Sequence, residues 1–358
     1  MRRLRVLIVD DSVVARRLVS DMIASDPALE VAGIAHHGQI ALAKIPQLSP
    51  DIITLDVDMP EMDGFETLTR LRAQYPHIPV IMLSGLTEKA AKLTLDALSM
   101  GASDYVSKPT SIGAEATDQA QVRTELIGKI KALCARKLSF ERAQPRRKEG
   151  EERRVDIVVI GVSTGGPNAL SNLLPGLPAD FPVPVLVVQH MPPLFTRFLA
   201  ERLASQCQLA VWEGVHGQLL EPGTIWIAPG DHHMVVEKAK VGPCLHLHQG
   251  PPENSCRPAV DPLFRSAVEC YGPRVLGVVM TGMGQDGLQG ARCIHDAGGE
   301  ILAQDEASSV VWGMPRFVVE EGIVVAVLPL DQIERVIRSR VEIGRSAARK
   351  TPEGSLVA

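Results

Sequence analysis

Short apolar runs alternate with amphipathic stretches in two separate series along this chain, and a charged stretch lies between them. Such alternation demands a parallel sheet covered by helices on both faces. In the first series the strand candidates are Arg5–Val9, Glu30–Ala35, Ile52–Asp56, Val80–Ser84 and Asp104–Ser107. Helical patterns such as Ser12–Ser25 and Gly64–Gln74 lie between them. In the second series the strand candidates are Asp156–Ile160, Val185–Gln189, Thr224–Ala228, Val275–Met280 and Gly322–Val327. Helical patterns there include Asn168–Leu174, Pro193–Ser205, Asp261–Glu269 and Gly287–Ala297, and the stretches IAPGDHHM and HLHQGPP read as hairpin and loop.

The intervening stretch, ARKLSFERAQPRRKEGEERRVD, is nearly devoid of apolar residues from Arg142 to Arg154. A long exposed loop inside one domain has the same composition. Each flank, however, carries its own complete strand–helix series, as separate domains do, so it is read as a solvated linker. A chain of 358 residues suits two domains at roughly 150 residues each. The expected organisation is two doubly wound α/β domains with parallel sheets, at 1–125 and 155–345, joined by a charged linker at 126–154. A disordered tail at 346–358 is expected because IGRSAARKTPEGSLVA has no apolar periodicity.

A net charge of -5 argues against nucleic acid as the main partner, since binders of the phosphate backbone carry a basic surplus. No apolar run reaches the roughly 20 residues that cross a bilayer. The opening MRRLRVLIVDD ends in two aspartates with no cleavage site and reads as a first strand. The six cysteines form no CxxC pair, and free thiols in a reducing cytoplasm are expected.

In the first series Asp10 and Asp11 follow the first strand, Asp56 closes the third, Ser84 the fourth, and Lys108 follows the fifth. The functional crevice of a doubly wound sheet lies outside the carboxyl ends of its strands, so these five side chains are expected to meet. Clustered carboxylates favour a hard divalent cation with oxygen ligands, and Mg²⁺ fits. Asp56 can then attack a phosphoryl donor to give an acyl phosphate, with Lys108 and Ser84 holding the phosphoryl oxygens. Any one such Asp taken alone could equally cap a helix. Lys108-Pro109 is a candidate cis peptide.

The set resembles the receiver domain of bacterial response regulators over about residues 3–125. That resemblance implies a flavodoxin-like fold, Asp56 as phosphoacceptor, and Mg²⁺ on Asp11, Asp56 and the backbone carbonyl of Asp58, beside Asp10. It puts Tyr105 in the place of the family's switch aromatic. The family's D-x-x-M-P spacing selects Asp56 over Asp58.

In the second series, VDIVVIGVSTGGP places Gly161-Val162-Ser163-Thr164-Gly165 between a strand and a helix. This is the G-x-S-x-G pattern of a nucleophile elbow, but a glycine-rich turn at a helix start also binds phosphate through backbone N–H groups. The next strand ends on His190, and a later one runs into a glycine-rich loop carrying Asp286. Serine, histidine and aspartate at the carboxyl ends of strands in one sheet favour a triad. A dinucleotide site would need G-x-G-x-x-G spacing, which is absent. The order Ser…His…Asp differs from the Ser…Asp…His of α/β-hydrolases, so a different fold is expected.

GVSTGGP, VVQHMPP, GTIWIAPGDHH, RPAVDPLFRSA, VVMTGMGQDG and QDEASSVVWGMP resemble motifs of the chemotaxis response-regulator methylesterases, over roughly 155–340. The resemblance implies a three-layer α/β/α catalytic domain that hydrolyses glutamate methyl esters and deamidates glutamines on the cytoplasmic helices of methyl-accepting chemoreceptors. It implies Ser163 as nucleophile, His190 as general base then acid, Asp286 orienting His190, and oxyanion-hole N–H groups from Thr164 and Met283. It also implies a chemotaxis histidine kinase as phosphodonor, a receiver that blocks the cleft until Asp56 is phosphorylated, no cofactor for the ester chemistry, and a cytoplasmic monomer.

Two rivals stand beside this reading. A DNA-binding response regulator would need a small basic helix-turn-helix output module. A receptor-docking adaptor would carry the triad unused. His232, His233, Cys244, His246, His248 and Cys256 match no zinc-finger spacing and are read as loop residues of the cleft. Trp212, Trp226 and Trp312 are assigned to core packing, and Arg257 and Arg265 to solvated surface.

Overall fold

The computed structural model describes residues 2–85, 87–108, 116–135, 154–343 and 345. The peptide at Pro109, most of the linker and the tail at 346–358 fall outside the described residues. The chain divides into two units, Met1–Ser139 and Phe140–Ala358.

In the first unit the strands are β1 (Leu4–Val9), β2 (Leu29–Ala35), β3 (Ile52–Asp56), β4 (Val80–Ser84) and β5 (Asp104–Ser107). The helices are α1 (Val13–Ala24), α2 (Gly38–Leu48), α3 (Gly64–Gln74), α4 (Glu88–Ser99) and α5 (Ala116–Cys134). All strand pairs are parallel, in the order β2-β1-β3-β4-β5. Strands β3 and β4 are buried along their whole length, which is why they read as unbroken apolar runs. Val6, Ile8, Ile81, Leu83 and Val106 pack with Val19 and Ile23 of α1 and Leu126 and Ile130 of α5. That packing carries α5 to Cys134, beyond the domain boundary read at residue 125. Side chains of Ser12, Asp63 and Thr87 cap α1, α3 and α4, each such cap contributing about 1 kcal/mol.

The second unit holds β6 (Ile157–Val162), α6 (Gly166–Leu173), β7 (Val185–Gln189), α7 (Phe195–Ala204), β8 (Ala210–Glu213) and β9 (Thr224–Ile227). The hairpin β10 (His233–Ala239) and β11 (Gly242–His248) follows, then α8 (Val260–Tyr271), β12 (Val275–Val279), α9 (Leu288–Asp296), β13 (Glu300–Gln304), α10 (Met314–Glu320), β14 (Ala326–Leu328) and α11 (Leu330–Glu342). Seven parallel strands run in the order β14-β13-β12-β6-β7-β9-β8, and β10 and β11 form a separate antiparallel pair. The chain leaves β6 toward β7 on one side and later returns to β12 on the other. The order therefore reverses at β6, and a ligand crevice belongs outside its carboxyl end. The core joins Ile157, Val159, Leu186 and Val188 of the central strands to Leu263 and Phe264 of α8 and Ile294 of α9.

Strands β8 and β13 and helices α10 and α11 escape the sequence reading, and β14 is the short Ala326–Leu328 rather than Gly322–Val327. Trp226 is buried, but Trp212 on edge strand β8 is 57% exposed. It is not a core residue, because alternate side chains of an edge strand face out. Arg257 is not solvated surface either. Its guanidinium donates from Nε to Asp231 Oδ1 at 2.9 Å and from Nη1 to the Gly250 carbonyl at 3.0 Å.

Candidate active site and acidic pocket

Strands β1 and β3 are neighbours, so Asp10 and Asp56 emerge side by side at their carboxyl ends. Asp10, Asp11 and Asp56 each offer an oxygen within 4.8 Å of the others. Asp10 and Asp56 are buried and Asp11 is exposed. Lys108 Nζ lies 2.8 Å from Asp10 Oδ2 and 2.7 Å from Asp56 Oδ2. One ammonium thus pairs with two of the three carboxylates. Burial pushes the Asp56 carboxyl up, to about 6, against the pull of Lys108, and Asp10 adds to the rise. Leaving buried carboxylate charge uncompensated costs several kcal/mol per ion. A divalent cation is the chemical complement of this donor set. Gly64 lets α3 start against the strand end, since a Cβ there would lie 2.3 Å from the Asp56 carbonyl oxygen.

Ser84 stands at the end of β4 but its hydroxyl faces α4. It accepts from Thr94 Oγ1 at 2.6 Å and donates toward the Ala90 carbonyl at 3.3 Å. No described hydrogen bond joins it to Asp56. Tyr105 is buried, with Lys129 Nζ 5.0 Å from the centre of its ring. Asp58 is exposed, with Lys89 Nζ 3.8 Å from its carboxylate.

In the second unit β12, β6 and β7 are consecutive in the sheet, which gathers Asp286, Ser163 and His190 at one edge. After β6 the chain turns sharply. Ser163 N donates to the Thr281 carbonyl at 2.9 Å and Gly166 N to the Ser163 carbonyl at 2.7 Å. Gly165 sits at φ +80, a left-handed conformation that glycine adopts without strain. The turn leads into α6, whose N-cap makes no side-chain hydrogen bond.

His190 Nε2 lies 2.7 Å from Asp286 Oδ2, which leaves Nδ1 as the nitrogen available to a second partner. Asp286 is 1% exposed, yet its carboxylate is fully satisfied. Oδ2 also accepts from Val260 N at 2.6 Å, and Oδ1 from Asp261 N at 3.2 Å, Gly287 N at 2.9 Å and Asn254 Nδ2 at 2.9 Å. Val260 and Asp261 open α8, so the helix N-terminus presents its free N–H groups to the anion. Burial raises the Asp286 carboxyl, but His190 and these backbone donors more than offset it and hold it below its usual value. Burial works against the His190 imidazolium, while the Cys256 sulfur and the Asp286 carboxylate hold its proton. The balance lifts its pKa above the ordinary 6.5.

Among the described residues Ser163 Oγ makes no hydrogen bond to His190. Such contacts are commonly loose in a free enzyme and close in the substrate complex. Gly282 permits the close approach of the next loop, since a Cβ there would lie 2.8 Å from Ser163 Cβ and 2.4 Å from Met314 Sδ. The Thr281 hydroxyl donates to the Thr164 carbonyl at 2.8 Å and accepts from Val311 N at 3.1 Å. It therefore ties the turn at Ser163 to the QDEASSVVWGMP segment. Among the described residues neither Thr164 N nor Met283 N donates to another protein group. Among the described residues both backbone donors are thus uncommitted, as the expected oxyanion site requires.

The family model described as CheB methylesterase matches residues 158–337, and that of the response regulator receiver domain matches residues 6–115. The chain belongs to the CheB methylesterase family. A protein-glutamate methylesterase/protein-glutamine glutaminase of Trichodesmium erythraeum is 48% identical over 349 residues, covering 94% of this chain and 99% of the relative. One of a Nocardioides species is 49% identical over 370 residues, covering 99% of this chain and all of the relative. The crystal structure of the Thermotoga maritima CheB methylesterase catalytic domain is similar at TM-score 0.51 and 42% identity, covering 52% of this chain and 99% of that one. The class is that of a hydrolase carrying a receiver domain. No helix among the described residues is long and apolar enough to cross a membrane.

Within this CheB-family chain several site neighbours lie inside the quoted motifs without having been singled out for a role. Gln189 Nε2 donates to the Ser163 carbonyl at 3.0 Å and the His190 carbonyl at 3.2 Å. Gln304 Oε1 accepts from Thr281 N at 2.8 Å. His233, one of the residues weighed for zinc, is a buried clamp, with Nε2 3.0 Å from the Pro251 carbonyl and Nδ1 accepting from Ala259 N at 3.2 Å. Among the described residues the one group able to hold a metal is Asp10, Asp11 and Asp56. Cys256 does face the site, beside His190.

Proposed function

We propose that this chain hydrolyses glutamate γ-methyl esters on the cytoplasmic helices of chemoreceptors, releases methanol, and deamidates receptor glutamines by the same steps. Phosphorylation of Asp56 by a chemotaxis histidine kinase raises the rate. The observation that carries the reading is the His190–Asp286 pair, carried by the segments that follow β7 and β12, the strands on either side of β6.

Neutral His190 takes the Ser163 proton on Nδ1 as Oγ attacks the ester carbonyl carbon. The carbonyl oxygen gains the displaced electron pair and is met by the backbone N–H groups of Thr164 and Met283, a contribution of roughly 3–4 kcal/mol for one such donor. Asp286 stabilises the imidazolium that forms. His190 then gives the proton to the departing methoxide, leaving methanol and an acyl-serine. Water attacks the acyl carbon, gives its proton to His190, and the serine oxygen recovers it. For a glutamine the leaving group is ammonia.

In the receiver, Asp56 is the nucleophile toward a phosphoryl group. Asp10, Asp11, Asp56 and the Asp58 carbonyl are the groups that would hold Mg²⁺. When bound, the ion supplies countercharge to the phosphoryl oxygens. Lys108 supplies a second positive charge. The Ser84 hydroxyl must turn from Thr94 to reach the phosphoryl group. The receiver spans the described first unit, with a linker after Cys134. The protein acts in the cytoplasm as a monomer.

The test is methanol release from methylated chemoreceptor membranes, with and without a small-molecule phosphodonor plus Mg²⁺. Release should be stimulated by the donor in wild type and not in Asp56→Ala. Equal stimulation in Asp56→Ala would contradict the assignment.

A further inference from the structure

We infer that Asn254 is a positioning residue for the reaction, its side-chain amide bridging Asp286 and Asp261 and fixing Asp286 against His190. The inference rests on the assignment of Ser163, His190 and Asp286 above.

Asn254 Nδ2 lies 2.9 Å from Asp286 Oδ1 and 2.9 Å from Asp261 Oδ2. Both acids are buried, Asp286 at 1% and Asp261 at 2% exposed. Asp261 Oδ1 accepts from Gly290 N at 2.7 Å. Two carboxylates sharing a buried site repel, and the ordinary resolution is that one keeps a proton. A proton shared with Asp286 would weaken its hold on the imidazole. An amide with two N–H groups satisfies both acids and does not titrate. Burial, with the Asp286 charge behind it, pushes the Asp261 carboxyl up, and the Gly290 N–H and Asn254 pull it back.

The backbone explains why asparagine stands here. Residue 254 has φ +51, a left-handed conformation that asparagine tolerates better than most residues. The loop holding it is braced. His233 clamps the Pro251 carbonyl and Ala259 N, Arg257 is tied to Asp231 and Gly250, and Glu253 and Cys256 exchange backbone hydrogen bonds at 3.1 and 2.8 Å. The titratable groups around the bridge are His190 at the end of β7, Cys256 on the same loop, and Asp261 and Arg265 on α8. Glu253 pairs with Arg265 at 2.6 Å, and α9 brings Cys293 beside Arg265.

The experiment measures methanol release by the full chain against pH for wild type, Asn254→Ala, Asp261→Asn, the double variant and Ser163→Ala. Asn254→Ala should lose about tenfold in kcat with KM little changed, and the acid limb of its pH profile should move down, because a proton shared by the two acids weakens the hold of Asp286 on the imidazolium. Asp261→Asn, which removes the competing charge, should move that limb down. The double variant should recover to within a few-fold of wild type. Wild-type kcat and an unmoved limb in Asn254→Ala would overturn the inference. If that variant fails to fold by circular dichroism, an unmoved limb in Asp261→Asn overturns it instead. Release by Ser163→Ala would sink the triad and this inference with it. A dead Ser163→Ala with an indifferent Asn254→Ala leaves the triad standing and removes Asn254 alone.

Discussion

His190 Nε2 and Asp286 Oδ2 stand 2.7 Å apart, and the backbone N–H groups of Val260 and Asp261 hold the aspartate in place from another element. The carboxylate is therefore held from α8, Gly287 and Asn254 as well as from the histidine. Replacing Asp286 by Asn preserves shape while removing the charge and inverting one donor. Methanol release should fall about 10³–10⁴-fold in kcat, as the loss of a triad aspartate does elsewhere. Circular dichroism should show a folded protein. A loss under tenfold would show that Asp286 does not orient the base.

The pH dependence follows from His190. As the proposed base it must be neutral to take the serine proton, and its neighbours lift its pKa above 6.5. The active form is lost as pH falls, so kcat/KM should climb through the neutral range with an apparent pKa above 6.5. Cys256 contributes to that lift, so Cys256→Ala should move the rise to lower pH. A profile flat from pH 6 to 9 (on the order of a thousandfold range in proton activity) would contradict the account.

Gly282 tests how tightly the loop carrying Met283 must pack on Ser163, the proposed nucleophile. An alanine Cβ would lie 2.8 Å from Ser163 Cβ, closer than unstrained contacts permit. Gly282→Ala should displace Ser163 and cost about 10²-fold in kcat. Steady-state kinetics with a melting curve separates this from unfolding.

The acidic pocket predicts a split response to metal removal. EDTA should abolish stimulation by a phosphodonor if Asp10, Asp11 and Asp56, which could hold a metal ion, carry the proposed Mg²⁺. Basal methanol release should remain, since no metal-capable group lies at Ser163 among the described residues. Basal activity that falls with the stimulation would contradict this division.

Most strands of both sheets were legible because a strand buried on both faces, such as β3, β4 or β7, reads as a bounded apolar run. The ends of those strands then located Asp56, Ser163 and His190. Strand β13 was not legible, as EILAQ mixes a polar end with a short apolar middle. Asn254, Gln189 and Thr281 were missed because each acts through side-chain contacts between distant segments, such as Asn254 to Asp286 across 32 residues. Periodicity carries no trace of such contacts. Polar residues flanking a candidate histidine, as Gln189 flanks His190, were the available hint.

The most direct test of the central claim is where a serine-directed fluorophosphonate attaches. Ser163 Oγ should displace fluoride, its proton passing to His190, and intact-mass and peptide analysis should find one adduct, on the peptide carrying Ser163. Labelling should slow strongly in His190→Ala and Asp286→Asn. An adduct on another residue, or none from a protein that still releases methanol, would contradict the account. A protein that neither labels nor releases methanol would be a receptor-docking adaptor with an idle triad.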